Sequence, residues 1–236
     1  MALASGGGAR YTDPMSQEKF ITFEGGEGAG KSTQVRLLAN RLETLGHDVV
    51  VTREPGGSPF AETLRNLLLA PDTPPHDALA EALVFYAARA DHLNKVIRPA
   101  LLRGDWVLCD RFSDSTRVYQ SMASTLPSEV CDRLDDVVVG ETSPSLTVIM
   151  DIVPEEGLAR AHTRRLEGAA PIDGEPEPDR FEARGLSYHR RLREGFLQIA
   201  KANPQRCLVV DASIDIEAIG QQIWSEVAER LLREAL

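Results

Sequence analysis

Short apolar runs alternate with longer amphipathic stretches along most of the chain. The runs predict five strands, at Lys19 to Glu24, His47 to Thr52, Trp106 to Asp110, Leu146 to Asp151 and Cys207 to Asp211. Helical periodicity runs from Lys31 to Leu45, and a second helix follows the loop at Pro55 to Pro59 and continues through Leu69. Further helical stretches run from Asp77 to Arg103, with a candidate break near Pro99, and from Ile216 to Leu232. This alternation predicts an α/β fold, with a parallel sheet of about five strands and helices on both faces.

Two segments depart from the alternation. Residues 1–14 are rich in Gly and Ala and lack an apolar signal core, and Met15 could serve as a natural start. We therefore expect a flexible N-terminal extension before a single domain at 15–236. Glu167 to Asp179 is rich in Gly, Pro and acidic residues and cannot build a core. Its place between two helical stretches predicts a mobile lid over about residues 160–182.

Composition narrows the class of protein. The 236 residues are 42% hydrophobic, enough for one large domain, and carry a net charge of -10. That charge argues against a protein that coats nucleic acid, but it does not exclude a local cluster of Arg and Lys around a nucleotide. The three cysteines have no pair spacing, so neither a disulfide framework nor a zinc site is predicted. No stretch is long and apolar enough for a membrane span, and a cytoplasmic enzyme fits best.

A glycine-rich motif follows the first predicted strand. It reads Gly25-Gly26-Glu27-Gly28-Ala29-Gly30-Lys31-Ser32 and fits the P-loop pattern G-x-x-x-x-G-K-[ST]. In such a loop backbone N–H groups cradle phosphate oxygens, Lys31 reaches the β- and γ-phosphates, and the Ser32 hydroxyl coordinates Mg²⁺. A strand before the motif and a helix after it make an ordinary turn a poor explanation. The sequence therefore predicts an ATP site in a P-loop NTPase-type fold.

A P-loop alone leaves the second substrate open, because switches, motors and small-molecule kinases all use one. A GTPase switch would carry an N-K-x-D motif on a late strand, where this chain has Asp211-Ala212-Ser213. Four further segments are informative: Thr52-Arg53-Glu54-Pro55-Gly56-Gly57, Leu83-Val84-Phe85-Tyr86-Ala87-Ala88-Arg89, Asp110-Arg111-Phe112 with the residues to Gln120, and Asp179-Arg180-Phe181-Glu182. In order and spacing, these segments and the P-loop closely resemble bacterial thymidylate kinases, from about Lys19 to the C-terminus.

The resemblance implies a kinase that transfers the γ-phosphoryl group of ATP to dTMP, uses Mg²⁺ and forms a homodimer. It also implies roles for individual residues. Phe85 stacks on thymine, Arg89 and Arg65 hold the acceptor phosphate, Arg111 bridges the two nucleotides' phosphates, Glu27 contacts the sugar 3′-hydroxyl, and Thr116, Tyr119 and Gln120 read the base and crowd the 2′-carbon. Independently of the resemblance, Asp110 ends an apolar strand, where an acid of the Walker B type would hold the metal or its waters. The alternative is another nucleoside monophosphate kinase or a deoxynucleoside kinase.

Members of this family carry a catalytic arginine either in the P-loop or in the lid. This P-loop has none, so the resemblance assigns the role to the lid, where Arg164 and Arg165 are adjacent and Arg160 is the next candidate. Such an arginine stabilises charge on the phosphoryl group in transit.

Without the resemblance, several of these residues have ordinary explanations. Phe85 fits a core position, Arg89 and Arg65 fit exposed helix positions, and the Asp110-Arg111 pair fits a surface ion pair. The arginines of the predicted lid fit a solvated helix face.

Overall fold

The computed structural model describes residues 19–166 and 180–232, and the predicted N-terminal extension and the central part of the predicted lid lie outside these ranges. The strands are β1 Phe20–Gly25, β2 Val49–Arg53, β3 Trp106–Asp110, β4 Leu146–Asp151 and β5 Cys207–Asp211. They form one parallel sheet in the order β2-β3-β1-β4-β5. The predicted five-stranded parallel sheet is confirmed.

The helices between the strands lie on both faces of the sheet. They are α1 Lys31–Thr44, α2 Pro59–Leu69, α3 Ala78–His92, α4 Arg98–Arg103, α5 Ser113–Thr116, α6 Ser128–Val138, α7 Pro154–Leu166, α8 Leu186–Ala202 and α9 Ile216–Leu231. Every residue of β1 is buried, as expected for a central strand covered on both sides. Its side chains alternate, so that Ile21 and Phe23 pack with α1 and α9, while Phe20 packs on the opposite face with Leu93, Ile97 and Leu101.

Local sequence explains where several helices begin. Ser58 caps α2 by accepting a hydrogen bond from the Ala61 N–H, and Pro59 occupies the first helical position, where no N–H is needed. Asp77 caps α3 in the same way, accepting from the Ala80 N–H at 2.7 Å. These caps fix the ends of the two helices that form one wall of the site.

Two π-helical turns were not apparent from the periodicity. The first, Leu93–Ile97, connects α3 to α4, so the helix continues through the candidate break near Pro99. The Arg98 N–H bonds to the Leu93 carbonyl, and Pro99 follows at the start of α4, where its missing N–H costs little. The second, Arg117–Met122, carries Tyr119 and Gln120. A π turn shifts the side-chain register and is often found at functional sites.

Within the described ranges, no helix combines the length and the apolar composition needed to cross a membrane.

Candidate active site

The site lies at the carboxyl edge of the sheet, where β1 and β3 end. Phe23 of β1 is in register with Asp110 of β3, so the P-loop that follows β1 meets the Asp110-Arg111 pair. In open parallel sheets this edge is where ligands bind. A continuous cavity there is lined by P-loop residues on one side and by residues of α2, α3 and the second π turn on the other.

The backbone of the P-loop requires glycine at three positions. Gly25, Gly28 and Gly30 have φ values of 135°, 68° and 86°, in the region that side chains disfavour. At Gly28 space is also limiting, because an added Cβ would lie 1.9 Å from the carbonyl oxygen of Gly157 in α7. The loop thus packs directly on the first turn of α7, and only glycine permits that approach.

Lys31 and Ser32 begin α1 at the end of the loop. The Lys31 ammonium donates to the carbonyl oxygens of Gly26 at 2.9 Å and Gly25 at 3.3 Å. Burial and the nearby charge of Arg111 lower the pKa of Lys31. The Ser32 hydroxyl donates to Asp110 Oδ2 at 2.6 Å. A hydroxyl and a carboxylate oxygen side by side are the ligand types that Mg²⁺ accepts.

Arg111 lies between the two halves of the cavity. Its φ of 67° is the one positive value at a non-glycine residue in the described chain. The guanidinium donates to Glu27 Oε1 at 2.5 Å and to the Gly25 carbonyl oxygen at 3.0 Å. Burial alone would raise the pKa of Glu27, but the positive charges of Arg111 and Lys31 outweigh burial and lower it to about 2. Glu27 is therefore ionised, and it holds Arg111 toward the P-loop.

A buried ion pair forms the floor of the cavity. Arg89, 2% exposed, donates from Nε to Glu54 Oε2 at 2.8 Å and from Nη2 to the Thr116 hydroxyl at 2.9 Å. The other Glu54 oxygen lies 3.0 Å from His92 Nδ1. Arg89 Nη1 is buried and has no hydrogen-bond partner within the described structure. Buried donors are rarely left unpaired, so Nη1 marks a position where a ligand can accept.

The remaining predicted substrate residues line the same cavity. Arg65 donates to the Pro55 carbonyl oxygen at 2.9 Å. The Phe85 ring lies beside that of Phe181, with ring centroids 6.2 Å apart, and Tyr119 packs on Phe181 at 5.8 Å. The structure therefore brings together the predicted residues Glu27, Arg65, Phe85, Arg89, Arg111, Thr116, Tyr119 and Gln120.

The three candidate arginines of α7 differ in their surroundings. Arg160 donates to the carbonyl oxygen of Ala212 at 2.7 Å and is not among the residues that line the cavity. Arg164 and Arg165 both line it. Arg165 forms an ion pair with Glu182, whereas Arg164 is exposed and its charge contributes to lowering the Glu27 pKa.

The sequence alone does not indicate a role for Glu54, Phe181 or Glu182, although each lies in one of the segments that resemble thymidylate kinases. The cavity places Glu54 beneath Arg89, Phe181 between Phe85 and Tyr119, and Glu182 against Arg165. The run Asp179-Arg180-Phe181-Glu182 was the available signal for the last two.

The cavity begins at a P-loop with an adjoining hydroxyl–carboxylate pair and continues past Arg111 to an aromatic wall. This arrangement is typical of P-loop enzymes that transfer a phosphoryl group between two small molecules. Comparison with known proteins identifies the family. Residues 23–223 match the thymidylate kinase family model, and the chain belongs to that family.

Individual relatives agree with the family match. The chain is 52% identical over 218 residues to the thymidylate kinase of Rhodopseudomonas palustris strain CGA009, covering 92% of this chain and 91% of the relative. It is 50% identical over 217 residues to that of Caulobacter vibrioides, covering 92% and 99% of the two chains. The crystal structure of thymidylate kinase from Ehrlichia chaffeensis superposes with a TM-score of 0.68 at 34% identity, covering 88% of this chain and 97% of that one.

Proposed function

We propose that this protein transfers the γ-phosphoryl group of ATP to dTMP, giving dTDP and ADP. One observation carries the proposal: a continuous cavity joins Lys31 and Ser32 of the P-loop to Phe85 and Gln120 on the opposite wall, with Arg111 between them. Donor and acceptor nucleotides bound at the two ends would meet at Arg111. Relatives that match over nearly the whole chain bear the name thymidylate kinase, which favours dTMP over another monophosphate or a deoxynucleoside as acceptor.

On the donor side, the backbone N–H groups of Gly25 to Ser32 hold the ATP phosphates, and Lys31 neutralises charge on the β- and γ-phosphates. The described residues contain no group of three or more His, Cys, Asp or Glu side chains able to hold a metal. A Mg²⁺ held by Ser32, Asp110 and the ATP phosphates fits the usual mode of that ion. When bound, it would shield the phosphate oxygens and orient them for transfer.

On the acceptor side, Phe85 provides a ring for the base, a contact worth roughly 1–3 kcal/mol. Tyr119 and Thr116 border the sugar and base, and Arg65 and Arg111 direct positive charge at the acceptor phosphate. Glu27 is ionised and faces the same space, where it can accept from a sugar hydroxyl.

Arg89 also binds the acceptor nucleotide, through Nη1. The resemblance assigned it to the phosphate, but its charge is already balanced by Glu54 in a buried pair. A donor in a neutral pair is suited to an uncharged carbonyl oxygen, such as one on the base.

Arg164 stabilises charge on the phosphoryl group during transfer. Lys31 is the only basic residue of the P-loop motif, and Arg165 is engaged by Glu182, so Arg164 is the arginine of α7 that is available at the cavity. Charge stabilisation of this kind can raise the rate about a thousandfold or more.

A coupled ADP-release assay with a panel of acceptors tests the function. With ATP and Mg²⁺, dTMP should be turned over with a far higher kcat/KM than dCMP, UMP, AMP or thymidine. A preference for any other member of the panel would refute dTMP as the substrate and support the alternative kinase class.

The enzyme acts as a cytoplasmic homodimer. Two helices that pack together each expose two large apolar side chains, Phe60 and Leu67 on α2 and Leu79 and Leu83 on α3, which are between 44% and 51% exposed. Exposed apolar side chains on two neighbouring helices favour association with a second copy. Cys109, Cys131 and Cys207 are free and buried, which suits a reducing compartment.

A further inference from the structure

Glu81 is a buried carboxylate for which the mechanism above has no use. It lies in the first turn of α3, is 7% exposed, and is not among the residues that line the cavity. Burying a charge is costly unless the charge is paired and hydrogen-bonded, so the partners of Glu81 indicate what it does.

Each carboxylate oxygen of Glu81 has its own partners. Oε1 accepts a hydrogen bond from Gln120 Nε2 at 2.8 Å. Oε2 forms an ion pair with Arg180, the first residue of the second described range, and lies 3.2 Å from His76 Nε2. His76 Nδ1 donates to the Pro74 carbonyl oxygen at 2.8 Å, so in the neutral ring Nε2 is an acceptor and takes a hydrogen bond from Arg180 at 3.0 Å.

This arrangement fixes which way the Gln120 amide points. A carboxylate can only accept, so the group that Gln120 turns toward Glu81 must be its NH₂. The amide oxygen must then lie on the other side. Gln120 lines the cavity, and its Oε1 is buried with no hydrogen-bond partner in the described part of the chain. An unpaired buried acceptor indicates a ligand group that donates.

We propose that Glu81, held by Arg180, is a positioning residue that sets base specificity by locking the Gln120 amide oxygen toward the base. The inference rests on the proposed function. In that orientation Gln120 accepts from a ring N–H, as found at N3 of a pyrimidine 2,4-dione such as thymine. Cytosine carries a lone pair at N3, so its binding would place two acceptors, N3 and the Gln120 amide oxygen, against each other.

Replacing Glu81 by Gln should turn the Gln120 amide around rather than merely leave its orientation free. Arg180 donates, so the oxygen of the introduced amide will turn toward Arg180 and the introduced NH₂ toward Gln120. Gln120 must then present its own oxygen to the introduced NH₂ and its own NH₂ to the base. The ratio of kcat/KM for dTMP to that for dCMP should fall by roughly five- to a hundredfold, and kcat/KM for dCMP should itself rise.

Additional variants separate this mechanism from a loss of structure. Gln120→Ala removes the amide that contacts the base, so adding Glu81→Gln to it should not change the dTMP/dCMP ratio further. Asp135→Asn breaks a comparable ion pair, that of Asp135 with Arg117, together with a hydrogen bond to Tyr86 of α3. Because Asp135 does not line the cavity, its variant should keep the wild-type ratio. If Glu81→Gln fails to fold, Glu81→Met keeps the volume and should lower the ratio without raising activity on dCMP.

The possible outcomes are distinct. The role of Glu81 is overturned if Glu81→Gln leaves the dTMP/dCMP ratio of kcat/KM unchanged. It is also overturned if Glu81→Gln changes that ratio equally in the presence of Gln120 and in the Gln120→Ala background. Either result leaves the dTMP kinase function intact. A wild-type enzyme inactive on dTMP overturns the proposed function itself.

Discussion

Glu24 offers a quantitative test of the electrostatics around the site. It ends the apolar part of β1 and is fully buried. Its Oε1 accepts from the N–H groups of Phe112 at 2.8 Å and Ser115 at 3.3 Å, and its Oε2 lies 2.5 Å from the Ser115 hydroxyl. Burial, reinforced by the negative charge of Asp114, raises the pKa of Glu24 to about 8 despite these hydrogen bonds. The protonated form fits the same contacts, because Oε2–H can donate to the Ser115 hydroxyl.

The raised pKa makes folding stability depend on pH. In the unfolded chain the Glu24 carboxyl titrates near 4.5, whereas in the native protein it keeps its proton up to about 8. Between these values the native state binds the extra proton, so stability falls as pH rises, by up to ~1.4 kcal/mol per pH unit. From pH 5.5 to 7.5 the loss from this one group is about 2 to 3 kcal/mol. Below pH 4.5 and above 8 the dependence vanishes.

Glu24→Gln should remove this dependence while keeping the contacts. The amide oxygen replaces Oε1 as acceptor, and the NH₂ donates to the Ser115 hydroxyl. Urea unfolding followed by circular dichroism at pH 5.5, 6.5 and 7.5 measures the effect. The free energy of unfolding of the variant, measured relative to that of the wild type, should be about 2 to 3 kcal/mol higher at pH 7.5 than at pH 5.5. Glu43→Gln, which removes an exposed charge on α1, is the control. Parallel pH profiles for wild type and Glu24→Gln would show that Glu24 is ionised in the native protein.

Three further predictions concern the site and the surface. Lys31→Ala should abolish transfer from ATP to dTMP with little change in the melting temperature, since the side chain acts on phosphates rather than on core packing; a variant with wild-type kcat would refute the P-loop assignment. Arg164→Met should lower kcat by roughly ten- to a thousandfold with little change in dTMP affinity, as expected for a contact formed in the transition state, and should do so more strongly than Arg165→Met. The reverse order would assign the role to Arg165. Leu83→Glu should convert a dimer to a monomer in sedimentation velocity, whereas Val137→Glu, at a position 83% exposed on α6, should not; two dimeric variants would place the interface elsewhere.

The sheet was predictable because its signals are local. Trp106–Asp110, Leu146–Asp151 and Cys207–Asp211 are strands at the predicted bounds, since each is a short apolar run that ends at an acidic residue. The first two strands end one residue later than predicted, at Gly25 and Arg53. There the ladder with β3 or β4 continues beyond the apolar run, and the pairing partner lies far away in the sequence.

The helical details were less predictable. Hydrophobic periodicity over Asp77 to Arg103 cannot distinguish an unbroken helix from one with a π turn, because one extra residue per turn disturbs the pattern only briefly. The π turn at Leu93–Ile97 is therefore visible in the structure but not in the sequence pattern.

The site divides in the same way. The P-loop residues were predictable, since the motif is contiguous and its chemistry follows from its spacing. The partners of Arg89 and Arg165 were not, because Glu54 and Glu182 meet them only after folding. For the same reason sequence could not choose between Arg164 and Arg165, which are neighbours on one helix and differ only in what faces them.

The close approach of Gly28 to Gly157 means that the P-loop and α7 cannot be changed independently of each other. An added Cβ at Gly157 would lie 2.3 Å from the Glu27 carbonyl oxygen, so neither partner of this contact tolerates a side chain. An engineer who grafts α7 from another P-loop enzyme, in order to import a different arginine arrangement, must keep glycine at position 157. A graft with any larger residue there would force the backbone of the phosphate loop or of α7 to shift, although no phosphate-binding residue had been changed.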